Sequence, residues 1–137
     1  MAKDKYYELV KQALIDDGWT ITDDPLIVPS LIADLEVDLG AERIIGAEKG
    51  TEKIAVEVKS FLGKSMLHDF YKAIGQFGFY YLVLSEEEPD RILYLAIPDS
   101  AYRFLYKDPI SVQLSENNGV KLIVYSIEKQ SIKAWKK

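Results

Sequence analysis

The chain has 137 residues, with 17 Lys+Arg against 22 Asp+Glu and a formal net charge of −5. That length suits one domain over residues 1–137 with a real core. Its 48% hydrophobic and 28% charged fractions exclude disorder, collagen and coiled coil. No run of 18 apolar residues is present, and the opening MAKDKYYELV lacks the apolar region of a secretion signal. With no cysteine, disulfides and Cys-based zinc sites are also excluded. A cytoplasmic protein without a membrane anchor is the expectation. The acidic balance is unlike that of a domain that coats phosphates. It is compatible with an enzyme that gathers carboxylates around metal ions.

Taken in chain order, residues 4–17 predict a helix, with Tyr6, Val10, Ala13 and Leu14 at spacings of three and four. Asp4 suits its N-cap and Gly18 its stop. Trp19–Thr22 predicts a short strand, and Leu26–Ala33, broken by Pro29, an irregular loop with extended pieces. Glu36–Ala47 and Lys53–Phe61 read as the arms of a hairpin with Gly50 at its tip. In the second arm Ile54, Val56 and Val58 share one face, which is taken as the core side, while Ala55, Glu57 and Lys59 share the other.

A second helix is expected from about Ser65 to Tyr81. Its apolar stripe is Leu67, Phe70, Ile74, Phe77 and Tyr81. Gly75 and Gly78 inside it each cost about 1 kcal/mol relative to Ala, which points to close packing against the sheet. Arg91–Ile97 reads as a buried central strand, and Asp99–Tyr106 as a short helix between Pro98 and Pro109. Val120–Ser126 and Ser131–Trp135 predict a closing hairpin. The expected order is α-β-β-β-α-β-α-β-β, a mixed α/β (α+β) sheet flanked by helices.

The residues with chemical promise are Asp38, Glu57 and Lys59. Composition of this kind supplies roughly two acidic-x-Lys triplets by chance. The chain has one, Glu57-Val58-Lys59, so its setting must carry the argument. Glu57 and Lys59 leave one sheet face at the end of a β-arm, and Asp38 stands at the facing end of the other. The bland alternative is a solvated strand face with a weak cross-strand ion pair. The chemical alternative is a site for Mg²⁺ or Mn²⁺, because converging carboxylates repel unless a cation lies between them.

In that case the Val58 carbonyl would be a third ligand. Lys59 would orient water or offset charge on a phosphodiester. Asp34, Glu36, Asp38 and Glu42 share one parity, and a bulge at Gly40 would reverse the parity of what precedes it. Glu42 is therefore the next candidate for the first carboxylate. Asp69, Lys72, Gln76 and Tyr80 share a face of the second helix. That face is either a solvated flank or one from which Gln76 and Tyr80 reach over the strand end. His68, the single histidine, reads as a surface residue. No P-loop or Gly-x-Gly-x-x-Gly is present.

The run Ile54–Phe61 (IAVEVKSF), preceded by Val37–Glu42 (VDLGAE), resembles the XisH family of cyanobacteria, the fdxN-element excision controlling factors. Ala13–Thr22, Ala73–Gln76, Pro89–Pro98 and Lys121–Tyr125 extend the resemblance over nearly the whole chain. It implies a restriction-endonuclease-like fold of the PD-(D/E)xK class. Asp38 would correspond to the first acidic residue of that class, and Glu57 and Lys59 to its Glu-x-Lys. Gln76 and Tyr80 match the Gln-x-x-x-Tyr pattern of some relatives, and Val37 stands where the class carries Pro. The resemblance further implies a part in excising a DNA element together with an XisI-like control protein and a recombinase. Two functions remain open: a Mg²⁺-dependent endonuclease, or a nuclease-fold module that binds DNA or a partner protein. A homodimer is the default assembly.

Overall fold

The computed structural model describes residues 4–46 and 50–137, and of residues 42–46 and 50 the backbone only. Its first helix, α1 (Tyr7–Asp16), buries Tyr7, Val10, Ala13 and Leu14. Asp4 does not cap it directly. The Asp4 carboxylate accepts from the Tyr6 N–H at 3.0 Å and also from the distant Ser60 N–H at 2.9 Å. Gly18 ends the helix with φ +96°, a left-handed conformation that favours glycine.

The strands β1 (Thr20–Asp23), β4 (Leu39–Gly46), β5 (Gly50–Val58), β6 (Arg91–Pro98), β7 (Leu122–Ser126) and β8 (Ser131–Lys136) form one sheet in the order β1-β4-β5-β6-β7-β8. The β5–β6 and β6–β7 pairs are parallel, and the outer pairs are antiparallel. The first crossover is α2 (Met66–Glu87). The second is α3 (Asp99–Leu105) followed by α4 (Pro109–Asn117). Crossovers of one hand between successively stepping parallel strands lie on one side of the sheet. Accordingly Phe70, Ile74 and Phe77 of α2 join Ala101 and Leu105 of α3 in a core over Ala55, Leu93, Leu95 and Ile97. On the opposite face α1 packs over Leu39, Ala41, Ile54, Val56 and Val58.

Both faces of β5 are therefore covered. The Ala55–Glu57 side, expected to face away from the core, points into the α2 core: Ala55 is fully buried and Glu57 only 9% exposed. A period-two pattern shows which residues share a side, not whether a helix covers that side.

Several elements depart from expectation, giving the order α-β-β-β-β-β-α-β-α-α-β-β. Within the predicted loop, β2 (Leu26–Val28) pairs antiparallel with β3 (Leu35–Val37). The predicted long arm is thus two strands, β3 and β4, broken at Asp38. The hairpin tip at 47–49 lies outside the described residues, and Gly50 itself belongs to β5. Gly40 carries no bulge on β4, whose register with β5 runs unbroken from Leu39 to Ile44. The irregularity lies in the facing strand, between Ile21 and Asp23. A Cβ on Gly40 would meet Asp23 Oδ2 at 2.7 Å, so any larger residue would have to displace the Asp23 side chain.

Helix α2 runs past Tyr81 to Glu87. It buries Phe70, Ala73, Ile74, Phe77 and Leu84 but leaves Leu67 and Tyr81 exposed. The expected tight packing at its glycines is absent. Among the described residues, no atom outside the helix's own adjacent backbone lies within 4 Å of the place a Cβ would take on Gly75, and at Gly78 only Asn118 Oδ1 approaches, at 4.0 Å. The unforeseen α4 carries Ile110, Val112 and Leu114 in strand-like alternation. Its start is set instead by Pro109 in the first turn and by the Asp108 carboxylate, which accepts from the Ile110 N–H at 3.0 Å. No helix among the described residues is long and apolar enough to cross a membrane.

Leu84, outside the predicted stripe, is 2% exposed, whereas Ile110 is 75% exposed. Leu84→Ala should cost about 2–5 kcal/mol in urea unfolding, and Ile110→Ala less than about 0.5 kcal/mol.

Candidate active site

The β4–β5 ladder ends at Leu39–Val56. The next facing pair, Asp38 and Glu57, replaces backbone pairing with side chains. The Asp38 N–H donates to Glu57 Oε1 at 3.2 Å, and the Val58 N–H donates to Asp38 Oδ2 at 2.8 Å. The two carboxylates are thereby fixed by each other's strand. Val37 packs in the α2-side core and Leu39 in the α1-side core. The break at Asp38 thus switches the side to which alternate residues point.

Lys59 follows directly. Its N–H donates to the Ala96 carbonyl at 2.9 Å, and its own carbonyl accepts from the Tyr125 hydroxyl at 2.9 Å. With its backbone clamped between β6 and β7, Lys59 holds Nζ 3.4 Å from Glu57 Oε2. From α2, Gln76 Nε2 donates to the Tyr80 hydroxyl at 3.0 Å, and that hydroxyl donates to the Glu36 carbonyl at 3.4 Å.

Asp4, Asp34, Glu36, Asp38, Glu57, Val58, Lys59, Gln76 and Tyr80 all line one open cleft of about 450 Å³. The structure therefore brings together Asp38, Glu57, Lys59, Val58, Gln76 and Tyr80. Glu42 pairs in register with Lys53, four residues along β5 from Glu57, and its side chain lies outside the described residues. Asp69 and Lys72 line an adjoining hollow, where Asp69 accepts from the Gly63 N–H at 2.9 Å. His68 is exposed and does not line the cleft. Asp4 is the lining residue that the sequence reading did not place there. Its contact with Ser60 spans 56 residues, and no local spacing encodes such a contact.

The electrostatics of the pair are adverse. Burial, then the charge of Asp38, pushes the Glu57 carboxyl from its ordinary 4.5 up to about 7, against the pull of Lys59. Burial also raises Asp38, opposed by the Val58 N–H and by Lys59, while Asp4 adds to the rise. Burial and then the charge of Glu57 raise the Tyr80 hydroxyl. One lysine does not offset this many buried and half-buried acids.

A hard divalent cation fits such a donor set, since Mg²⁺ prefers oxygen ligands and retains water. Among the described residues no three His, Cys, Asp or Glu side chains gather as a metal set. Asp38 and Glu57, with the Val58 carbonyl, would be the protein's share.

A family model described as XisH protein matches residues 1–133. The chain belongs to the XisH family. An XisH family protein from Nostoc punctiforme PCC 73102, solved by crystallography, is 38% identical, with a TM-score of 0.88 over 98% of this chain and 100% of that one. A fdxN element excision controlling factor protein from Anabaena variabilis, also a crystal structure, is 41% identical, with a TM-score of 0.86 over 96% and 98% of the two chains. No curated protein matches.

The buried pair gives this XisH chain a specific pH signature. Because Glu57 holds its proton more tightly folded than unfolded, the folded state binds more protons between about pH 4.5 and 7. In the presence of a chelator, the melting temperature should therefore fall as pH rises through that window. Glu57→Gln should flatten the fall and melt several degrees higher near neutral pH, as followed by circular dichroism.

Proposed function

We propose that this chain is a controlling factor for excision of a DNA element and that it carries a Mg²⁺-dependent endonuclease site on a restriction-endonuclease-like fold. The first part rests on family membership and on the name of the Anabaena variabilis relative. The second rests on one observation: Asp38, Glu57 and Lys59 converge at a strand end in an open cleft.

The chain's own residues have distinct tasks under this reading. Asp38 and Glu57, oriented by the Val58 and Asp38 N–H groups, would hold Mg²⁺ or Mn²⁺ together with the Val58 carbonyl. When bound, such an ion activates water and offsets charge on a phosphodiester. Lys59 places a fixed positive charge beside Glu57, where it orients the attacking water and offsets charge developing on phosphorus. Gln76 and Tyr80 also line the cleft, and Gln76 Nε2, which gives one hydrogen to Tyr80, has a second to offer a phosphate oxygen.

The net charge of −5 favours a second reading, in which the fold binds DNA or a control protein without cutting. An XisI-like protein and a recombinase are the partners implied by the family resemblance.

Two measurements separate these readings. Purified protein with Mg²⁺ or Mn²⁺ should cleave single-stranded, double-stranded or branched DNA. Lys59→Ala and Glu57→Ala should each lower the rate about 100-fold or more. Cleavage that survives both substitutions would refute the assigned site, and no cleavage of any substrate would favour the binding module. Independently of cleavage, Mg²⁺ should raise the melting temperature of the wild type, and by much less that of an Asp38→Asn, Glu57→Gln double variant.

A further inference from the structure

Helix α2 contains two glycines that nothing among the described residues explains. Each costs about 1 kcal/mol relative to Ala in a helix interior. Yet among the described residues Gly75 has nothing outside the adjacent backbone within 4 Å of the place a Cβ would take, and Gly78 only the Asn118 amide oxygen. Around them lie Leu67, Tyr71, Phe79 and Leu82, all large, apolar and exposed, Leu82 to 64%. At 100° per residue Tyr71, Gly75, Gly78 and Leu82 fall within about 60° of one another, on a side turned away from buried Phe77 and Leu84. With Phe79 and Leu67 they make an apolar strip on the order of 500 Å², at the upper end of what monomers leave uncovered. It is well over half of the roughly 800 Å² that one partner contributes to a stable interface.

The strip is also self-complementary. Its spacing is four, three, four, so Tyr71 and Leu82 stand equally far from the midpoint between the glycines. Turning a second α2 antiparallel about that midpoint sets Tyr71 against the partner's Leu82 and glycine against glycine. Large side chains then close the two ends, and the backbones approach where no side chains intervene.

The charges agree with this orientation. Beside the half-buried Asp69 of the first turn, exposed Lys64 and Lys72 crowd the start of α2, and exposed Glu86 and Glu87 its end, where no basic residue stands in the last turn. Those lysines and glutamates oppose the helix's own dipole, which favours acids at the start and bases at the end. An antiparallel neighbour lays each basic end beside an acidic one.

We propose that this face of α2 is a homodimer interface, with α2 crossing α2 of a second copy antiparallel at Gly75 and Gly78. Gln76 and Tyr80, which line the cleft, lie on the side of the helix turned away from this strip, so the interface leaves the cleft open.

Light scattering on the full chain at tens of micromolar should give twice the chain mass. Leu82→Glu should weaken association roughly tenfold or more while leaving the far-ultraviolet circular dichroism unchanged. Because the chain has no cysteine, Tyr71→Cys and Leu82→Cys variants joined by a short bis-maleimide report the register directly. An equimolar mixture of the two should cross-link, and either variant alone much less. Glu86→Lys should weaken the dimer, and adding Lys64→Glu should restore it. A monomeric wild type would overturn the proposal and leave the face to another protein. A dimer unaffected by Leu82→Glu, or one that cross-links equally in each single variant, would also overturn it.

Discussion

The structure turns on the break at Asp38. Were β3 and β4 one continuous strand, Val37 and Leu39 would point to the same side. Instead they enter cores on opposite faces of the sheet. The chain gains a second small sheet, β2–β3, on the α2 side and continues as β4 within the main one. The break leaves the Val58 N–H without a strand partner, and a buried donor left unpaired is costly. The Asp38 carboxylate fills that role at 2.8 Å, and Glu57 does the same for the Asp38 N–H at 3.2 Å. The groups that would hold a metal are thus the groups that finish the sheet.

That double duty fixes the direction of both carboxylates in an open cleft. A carboxylate fixed by a backbone N–H from the neighbouring strand keeps its direction without help from a ligand. The same duty explains why the pair remains strained electrostatically. Repulsion would spread the two acids apart on a flexible loop, but here the strands hold them together. Burial first, and then the charge of Asp38 held beside it, raises the proton affinity of Glu57. Lys59, clamped through its own backbone by Ala96 and Tyr125, provides partial relief from a fixed position.

The parts of this arrangement legible in the sequence were those governed by local periodicity. Helix α1, the β4–β5 hairpin, buried β6, the β7–β8 hairpin, and the shared face of Glu57 and Lys59 follow from spacing alone. What spacing cannot report is how elements cover one another. The Ala55–Glu57 side was taken as solvent-facing because period two does not reveal the helix above it. Leu67 and Tyr81 fit a 3.6-residue stripe as well as Phe70 and Phe77 do, yet they stay exposed while Leu84, outside that stripe, is buried. The short β2–β3 pair and α4 depend on single contacts, a facing strand and an Asp108 cap. Asp4 reaches the cleft only through the tertiary fold.

The charge balance gains meaning once the charges are placed. Asp4, Asp34, Glu36, Asp38 and Glu57 all border one cleft, answered there by Lys59. Much of the excess acid is therefore local, and a divalent cation held by Asp38 and Glu57 would reverse the sign of the field at the very point a phosphate must approach. Away from the cleft, Glu86 and Glu87 of α2 sit at the wrong end of its own dipole, and Lys64 and Lys72 at the other. Both features are unfavourable for an isolated chain and become favourable when something else is bound, an ion in one case and a second helix in the other. Under the two proposals, the net charge of −5 is less an argument about nucleic acid than a mark of the surfaces that an ion and a second copy would complete.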